Sequence, residues 1–191
     1  MRSALKAHWP EYLMEAAGLG IFMISACMVV ALLEYPASPV RQSLPSPFLR
    51  RALIGIAMGL TAIGIVYSPW GKQSGAHLNP SLTLTFFRLG KVHGWDAFFY
   101  LLAQFVGGLS GVLVAAVLLG VIIRDASVNY AVTVPGSEGT AVAFVAEFLI
   151  SFLLMSVVLK ISNTPRLSRY TGLFAGTWSQ PTSPWRPHYP V

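Results

Sequence analysis

Proline and glycine divide this chain into apolar runs that are too long and too poor in charge for a surface facing water. The first covers residues 12–33 and holds one charge, Glu15. Others cover residues 48–67, 97–123 and 140–161, and Glu147 is the last run's only charge away from its ends. An α-helix rises ~1.5 Å per residue, so about 20 apolar residues cross a hydrocarbon layer of ~30 Å. Only 10% of the 191 residues are charged and 54% are apolar, where a soluble domain carries roughly 25% charge. The sequence therefore predicts an all-α integral membrane protein with four full spans.

The breaks between runs are as informative. Pro36, Pro39, Pro45 and Pro47 make residues 34–48 a loop. Residues 68–73 are rich in turn formers, and the apolar piece after them, 82–89, is far too short to span. It reads as a buried or re-entrant half-helix. Polar loops follow at 124–139 and 162–169. A fifth apolar run opens at Tyr170 and fails after about nine residues, because residues 177–191 hold four prolines. That run is predicted to be a helical stub.

The net charge of +6 does not point to nucleic acid, since the basic residues stand singly or in pairs between apolar runs. With the N-terminus inside, Arg2, Lys6, Lys72, Arg88, Lys91, Lys160, Arg166 and Arg169 fall on the inner side. Arg41, Arg50, Arg51 and Arg124 fall outside. The excess favours a cytoplasmic N-terminus in a multi-pass protein of the cell membrane. The first run is too long for the apolar region of a cleavable signal peptide. The lone cysteine, Cys27, lies within an apolar run and reads as a packed thiol, with no intrachain disulfide possible. Metal-ligand clusters, nucleophile elbows and phosphate loops are not found, so no enzyme activity, catalytic residue, metal or cofactor is expected.

The chain also repeats itself. Glu15 and Glu147 stand near the starts of the first and fourth spans. Arg51, Gly55 and Gly59 open the second span, and Arg169, Gly172 and Gly176 open the fifth run. An odd number of spans between the copies turns the second copy upside down, giving an inverted repeat. The first copy covers about 10–123 and the second about 140–176. Asn79-Pro80 follows Gly59 by 20 residues, whereas the equivalent of Asn79 after Gly176 would fall beyond Val191. The second copy is thus expected to be incomplete, with 1–176 a transmembrane domain and 177–191 a proline-rich tail outside it.

Ser74-Gly75-Ala76-His77-Leu78-Asn79-Pro80-Ser81-Leu82-Thr83 resembles the first pore signature of the major intrinsic protein family, the aquaporins and aquaglyceroporins. Glu15, Gln104 and Ala146-Glu147-Phe148 stand where that family has its helix glutamates and third-helix glutamine. The resemblance covers about residues 10–176 and departs from the pattern at Ser81, where alanine is usual. It implies an aquaporin-like inverted-repeat bundle, incomplete in its second half, and a passive channel for water or small neutral solutes such as glycerol, assembled as a homotetramer. The alternative is a truncated, non-conducting chain that acts at most as an assembly partner of full-length channels.

On this reading Gly75, Ala76, His77, Asn79, Pro80 and Ser81 line the pore, with Met58 near the filter position of the second span. Pro80 suits the first position of a helix and Asn79 its N-cap. Gly75 and Ala76 are small enough to leave room for a file of water along the backbone carbonyls. His77 is equally compatible with a satisfied core histidine and a pH gate. Glu15 and Glu147 are expected to brace the re-entrant loops, since a carboxyl group in lipid is costly unless paired. Gly55/Gly59 and Gly107/Gly111 are spaced for close helix crossings.

Overall fold

A computed structural model describes residues 1–135 and 139–162. These residues form seven α-helices and two short 3-10 turns, with no strand among them. Three helices are long and apolar enough to cross a membrane: α1 (Arg2–Glu34), α3 (Pro47–Tyr67) and α6 (Gly94–Leu119). The last, α7 (Gly139–Ser162), occupies the fourth predicted span. The predicted stub from Tyr170 and the 177–191 tail lie outside the described residues.

The helix ends follow local chemistry. Residues 2–11, ahead of the first apolar run, are already helical; α1 is broken at His8 (φ −127°, ψ 17°), two residues before Pro10. Pro10 thus sits in the first turn of the membrane helix, where its missing N–H costs nothing. The loop expected over 34–48 holds a five-residue helix, α2 (Pro39–Ser43), again with proline at its start. Helix α4 (Pro69–Ser74) fills the turn-rich break. Ser68 caps its N-terminus, and Gly75 ends it in a left-handed conformation (φ 88°) open to glycine at little cost. Helix α6 stops four residues short of its predicted end because Gly120 takes φ 57°, ψ −121°.

The bundle is organised around α1, which packs chiefly on α6 and more lightly on α3 and α4. The contact with α6 is backbone to backbone. A Cβ on Gly107 would strike the Ala16 carbonyl, and one on Gly111 would strike the Gly20 carbonyl. Gly55 and Gly59 behave differently from the sequence expectation: a Cβ on either meets nothing within 4 Å among the described residues. Small-residue spacing permits a close crossing without requiring one, and of these two pairs the one on α6 makes it among the described residues.

The far end of α1 closes on a small core of Cys27, Ala31, Ala115, Ile123 and Val128. Cys27 is fully buried, its thiol 3.7 Å from the Tyr130 carbonyl. Arg50, expected as an outer-loop charge, is buried. It pairs with Glu34 at 3.1 Å and donates to the carbonyls of Leu44 (2.9 Å) and Pro45 (3.1 Å). This ties the α2 segment to both long helices.

Replacing Gly111 by leucine is expected to lower the thermal midpoint of the detergent-solubilised chain by the equivalent of ~2 kcal/mol or more, because backbone cannot yield as a side chain can. Gly55→Ala is expected to leave the midpoint within about 0.5 kcal/mol of the parent. Circular dichroism melts of the two variants provide the check.

Candidate functional site

The short segment between α4 and the following helix is where polar chemistry enters the bundle. Helix α5 (Pro80–Arg88) has nine residues, about 13 Å at 1.5 Å per residue, or roughly half a hydrocarbon layer. Its C-terminal end carries the exposed Arg88, which belongs at the membrane–water interface. With Arg88 there and the helix axis along the membrane normal, its N-terminus would reach about mid-membrane. Pro80 occupies the first helical position, and the Asn79 Oδ1 accepts the Ser81 N–H at 2.8 Å.

The backbone leading into α5 takes conformations that helices and strands exclude. Gly75, Ala76 and Leu78 all have positive φ (88°, 43° and 50°). For Ala76 and Leu78 each such angle costs on the order of 1–3 kcal/mol unless the surroundings impose it. The surroundings are built from three helices. Glu15 of α1 is completely buried and its Oε1 accepts the Leu78 N–H. The same oxygen accepts Gln104 Nε2 of α6 at 2.9 Å, and Oε2 accepts the Ser74 hydroxyl at 3.3 Å.

Gln104 donates again from Nε2 to the Thr83 hydroxyl oxygen at 3.0 Å. Its amide must be oriented this way, since a reversed amide would set its oxygen against the Glu15 carboxyl. Tyr100, one turn earlier on α6, donates its hydroxyl to the Ser74 carbonyl. Ser74 in turn takes the Ala76 N–H on its Oγ at 3.1 Å. Gly18, one turn beyond Glu15, leaves the space that Leu78 fills: a Cβ there would lie 2.9 Å from Leu78 Cδ2.

The predicted site residues are therefore placed as follows. Gly75, Ala76, His77, Asn79, Pro80 and Ser81 form one continuous stretch, with Asn79 and Ser81 exposed and Ala76 and His77 buried. The His77 ring is packed between Phe86 (5.1 Å) and Tyr100 (4.9 Å), with Nδ1 3.0 Å from Thr83 Oγ1. Met58 is half-buried on α3. Glu147 belongs to α7, and its side chain lies outside the described residues.

The sequence reading missed Ser74, Thr83 and Tyr100 as parts of the brace. It also missed a second polar knot one turn below Glu15. There Tyr12 donates to Asp96 at 2.5 Å, His8 Nδ1 lies 2.9 Å from the same Asp96 oxygen, and Gln73 donates to Glu11 at 3.1 Å. The available signal was spacing: Asp96, Tyr100 and Gln104 recur at four-residue intervals on one face of α6. Among the described residues no group of three or more His, Cys, Asp or Glu comes together to hold a metal.

Comparison with known proteins adds the family context. A family model described as "Major intrinsic protein" matches residues 3–177. Aquaporin-5 of Ovis aries is 37% identical over 116 residues, which is 60% of this chain and 42% of that protein. The probable aquaporin NIP4-2 of Arabidopsis thaliana is 36% identical over 123 residues, 64% of this chain and 40% of its own length. The probable aquaporin AqpM of Archaeoglobus fulgidus is 30% identical over 132 residues, 64% of this chain and 50% of its own length. The matched segment thus spans half or less of each of these relatives. No solved structure matches the chain significantly.

Glu15→Leu is expected to leave the Leu78 N–H and the Gln104 amide buried without an acceptor, at ~1–3 kcal/mol for each group. Hydrogen–deuterium exchange over residues 75–79 should then rise by at least tenfold while exchange in the centre of α6 changes little. Equal protection in parent and variant would remove Glu15 from its bracing role.

Proposed function

The chain belongs to the major intrinsic protein family, and from that premise we propose that it is a subunit of a passive transmembrane channel for water or small neutral solutes such as glycerol. One observation supports this reading above the others: a capped half-helix begins at Asn79-Pro80, behind a loop whose Ala76 and Leu78 N–H groups are turned into the protein.

The loop's polarity follows from peptide geometry. All peptide bonds here are trans, so each carbonyl points away from the N–H of the residue after it. The Leu78 N–H is committed to Glu15 and the Ala76 N–H to Ser74. The carbonyls of His77 and Gly75 are therefore directed to the other side, where they can accept hydrogen bonds from a passing solute. Asn79 complements them as a donor. Its Oδ1 is held by Ser81, so the group it offers is its NH2.

Such a row accepts and donates in sequence, and water and polyols can do both. Cations are disfavoured by the N-terminus of α5, which carries roughly half a positive charge; aquaporin-type pores are a standing example of that barrier. In this proposal Ala76, Pro80 and Ser81 shape the wall, and Met58 on α3 faces the narrow region. Glu147 would brace the corresponding loop of a complete second repeat. The assembly is a homotetramer in the cell membrane with the N-terminus cytoplasmic. None of this requires a cofactor, and no reaction is catalysed.

Proteoliposome shrinkage under an osmotic gradient tests the proposal. A chain carrying a complete second repeat should raise the osmotic rate well above that of empty vesicles, and Asn79→Leu in it should lower the rate about tenfold at equal protein density, the effect of losing roughly 1.4 kcal/mol at the barrier. A folded, inserted chain that adds no flux would overturn the channel reading and leave the assembly-partner role. Unchanged flux in Asn79→Leu would remove Asn79 from the path.

A further inference from the structure

We propose that the end of the bundle carrying the start of α1 is a docking surface for anionic phospholipid, formed by a ring of tryptophans and a set of cations whose neighbouring acids are all buried. This inference is independent of conduction.

The ring is set by hydrogen bonds made lower in the bundle. Tyr12 and His8 both reach Asp96 in the first turn of α6, and Gln73 at the end of α4 reaches Glu11. The starts of α1 and α6 and the end of α4 therefore lie close to one level. Each of these elements exposes one tryptophan there: Trp9 (54%), Trp70 (53%) and Trp95 (51%). An indole stands comfortably half-exposed where its ring meets acyl chain and its N–H meets headgroup, and it is enriched at that depth for this reason.

Cations surround the ring. Lys6 is one turn outside Trp9, Lys72 is two residues from Trp70, and Arg88 and Lys91 lie just before Trp95; all four are exposed. The acids at this end do not answer them. Glu11 (6%), Glu15 (0%) and Asp96 (2%) are buried, each holding donors from inside the bundle. Among the described residues this end shows no exposed acid. The opposite end differs, since Arg50 pairs with Glu34. Asp125 there is held below the usual carboxylate range by hydrogen bonds from Ser127 and by the Arg41 charge. Among the described residues the α1 end thus presents a cluster of exposed cations and no exposed acid, and the partner complementary to cations beneath an aromatic ring is a bilayer surface bearing anionic phosphodiesters.

The test uses the full chain with Trp178→Phe and Trp185→Phe, so that only the three ring tryptophans report. It is reconstituted in phosphatidylcholine vesicles containing phosphatidylglycerol, with bromines near the glycerol end of one lipid class or the other. Brominated phosphatidylglycerol should quench with a relative affinity at least about fivefold above brominated phosphatidylcholine, the equivalent of one surface charge. Combining Lys6→Gln, Lys72→Gln, Arg88→Gln and Lys91→Gln should remove the preference, while Arg51→Gln with Arg124→Gln should preserve it. Equal quenching by the two lipids in the parent overturns the proposal. So does loss of preference in the Arg51/Arg124 variant as complete as in the fourfold one, which would make net charge the cause. If the fourfold variant does not insert, 1 M NaCl, where the Debye length is about 3 Å, should abolish the preference in the parent; a preference that survives it overturns the proposal.

Discussion

The carboxyl group of Glu15 is the interaction on which the rest of this structure depends. It is completely buried, about two turns past the break at His8, in a helix long and apolar enough to cross a membrane. Removing such a group from water costs several kcal/mol unless donors replace the solvent. Three donors do so, from the Leu78 backbone, the Gln104 amide and the Ser74 hydroxyl. They also hold Ala76 and Leu78 in left-handed conformations, at about 1–3 kcal/mol apiece, so the loop keeps a shape its own sequence would not choose.

That balance requires α1 to reach its partners, which is a matter of missing atoms. Lipid gives helices no hydrophobic reason to associate, so close packing and interhelical hydrogen bonds must hold them. Gly107 and Gly111 let α6 approach until backbones touch at Ala16 and Gly20, and Gln104 comes within 2.9 Å of Glu15 as a consequence. Gly18 performs the same service on another side of α1 by admitting the Leu78 side chain. Small residues at 16, 18 and 20 therefore serve two neighbours at once, one a helix and one a loop.

Much of this was legible in the sequence, for reasons that differ by element. Run length located α3, α6 and α7 because lipid thickness leaves few alternatives. The half-helix α5 was legible from Asn79-Pro80 and from an apolar piece too short to span. Glu15 was identifiable as a brace because an isolated carboxyl in an apolar helix needs a donor. Its actual partners were less accessible. Ser74 acts through both its hydroxyl and its carbonyl, and no residue-type pattern announces a carbonyl. Thr83 depends on the turn made by α5 rather than on its own neighbours. The Asp96–Tyr100–Gln104 stripe was visible as spacing but was read only at Gln104. Helix α2 was hidden because proline was taken as a breaker, whereas at a first turn it is an initiator.

A helix that begins in mid-membrane must dispose of donors that have no carbonyl behind them. Pro80 has no N–H to dispose of, and Asn79 supplies an oxygen for the N–H of Ser81. Cap and proline thus reduce the problem without removing it, since a cap serves one donor and the other N–H groups of the first turn still seek partners. Lipid cannot provide them, and exposed backbone at this depth persists only where protein or a water-filled cavity serves it. The Glu15 brace already directs the preceding N–H groups inward, so what the loop shows on its other side is carbonyl oxygen. A surface that presents acceptors followed by donors at such a depth is stable only where other protein or a water-filled cavity answers it. The energetic requirement of starting α5 where it does is therefore met by whatever serves those groups, and the proposed channel is one way of meeting it.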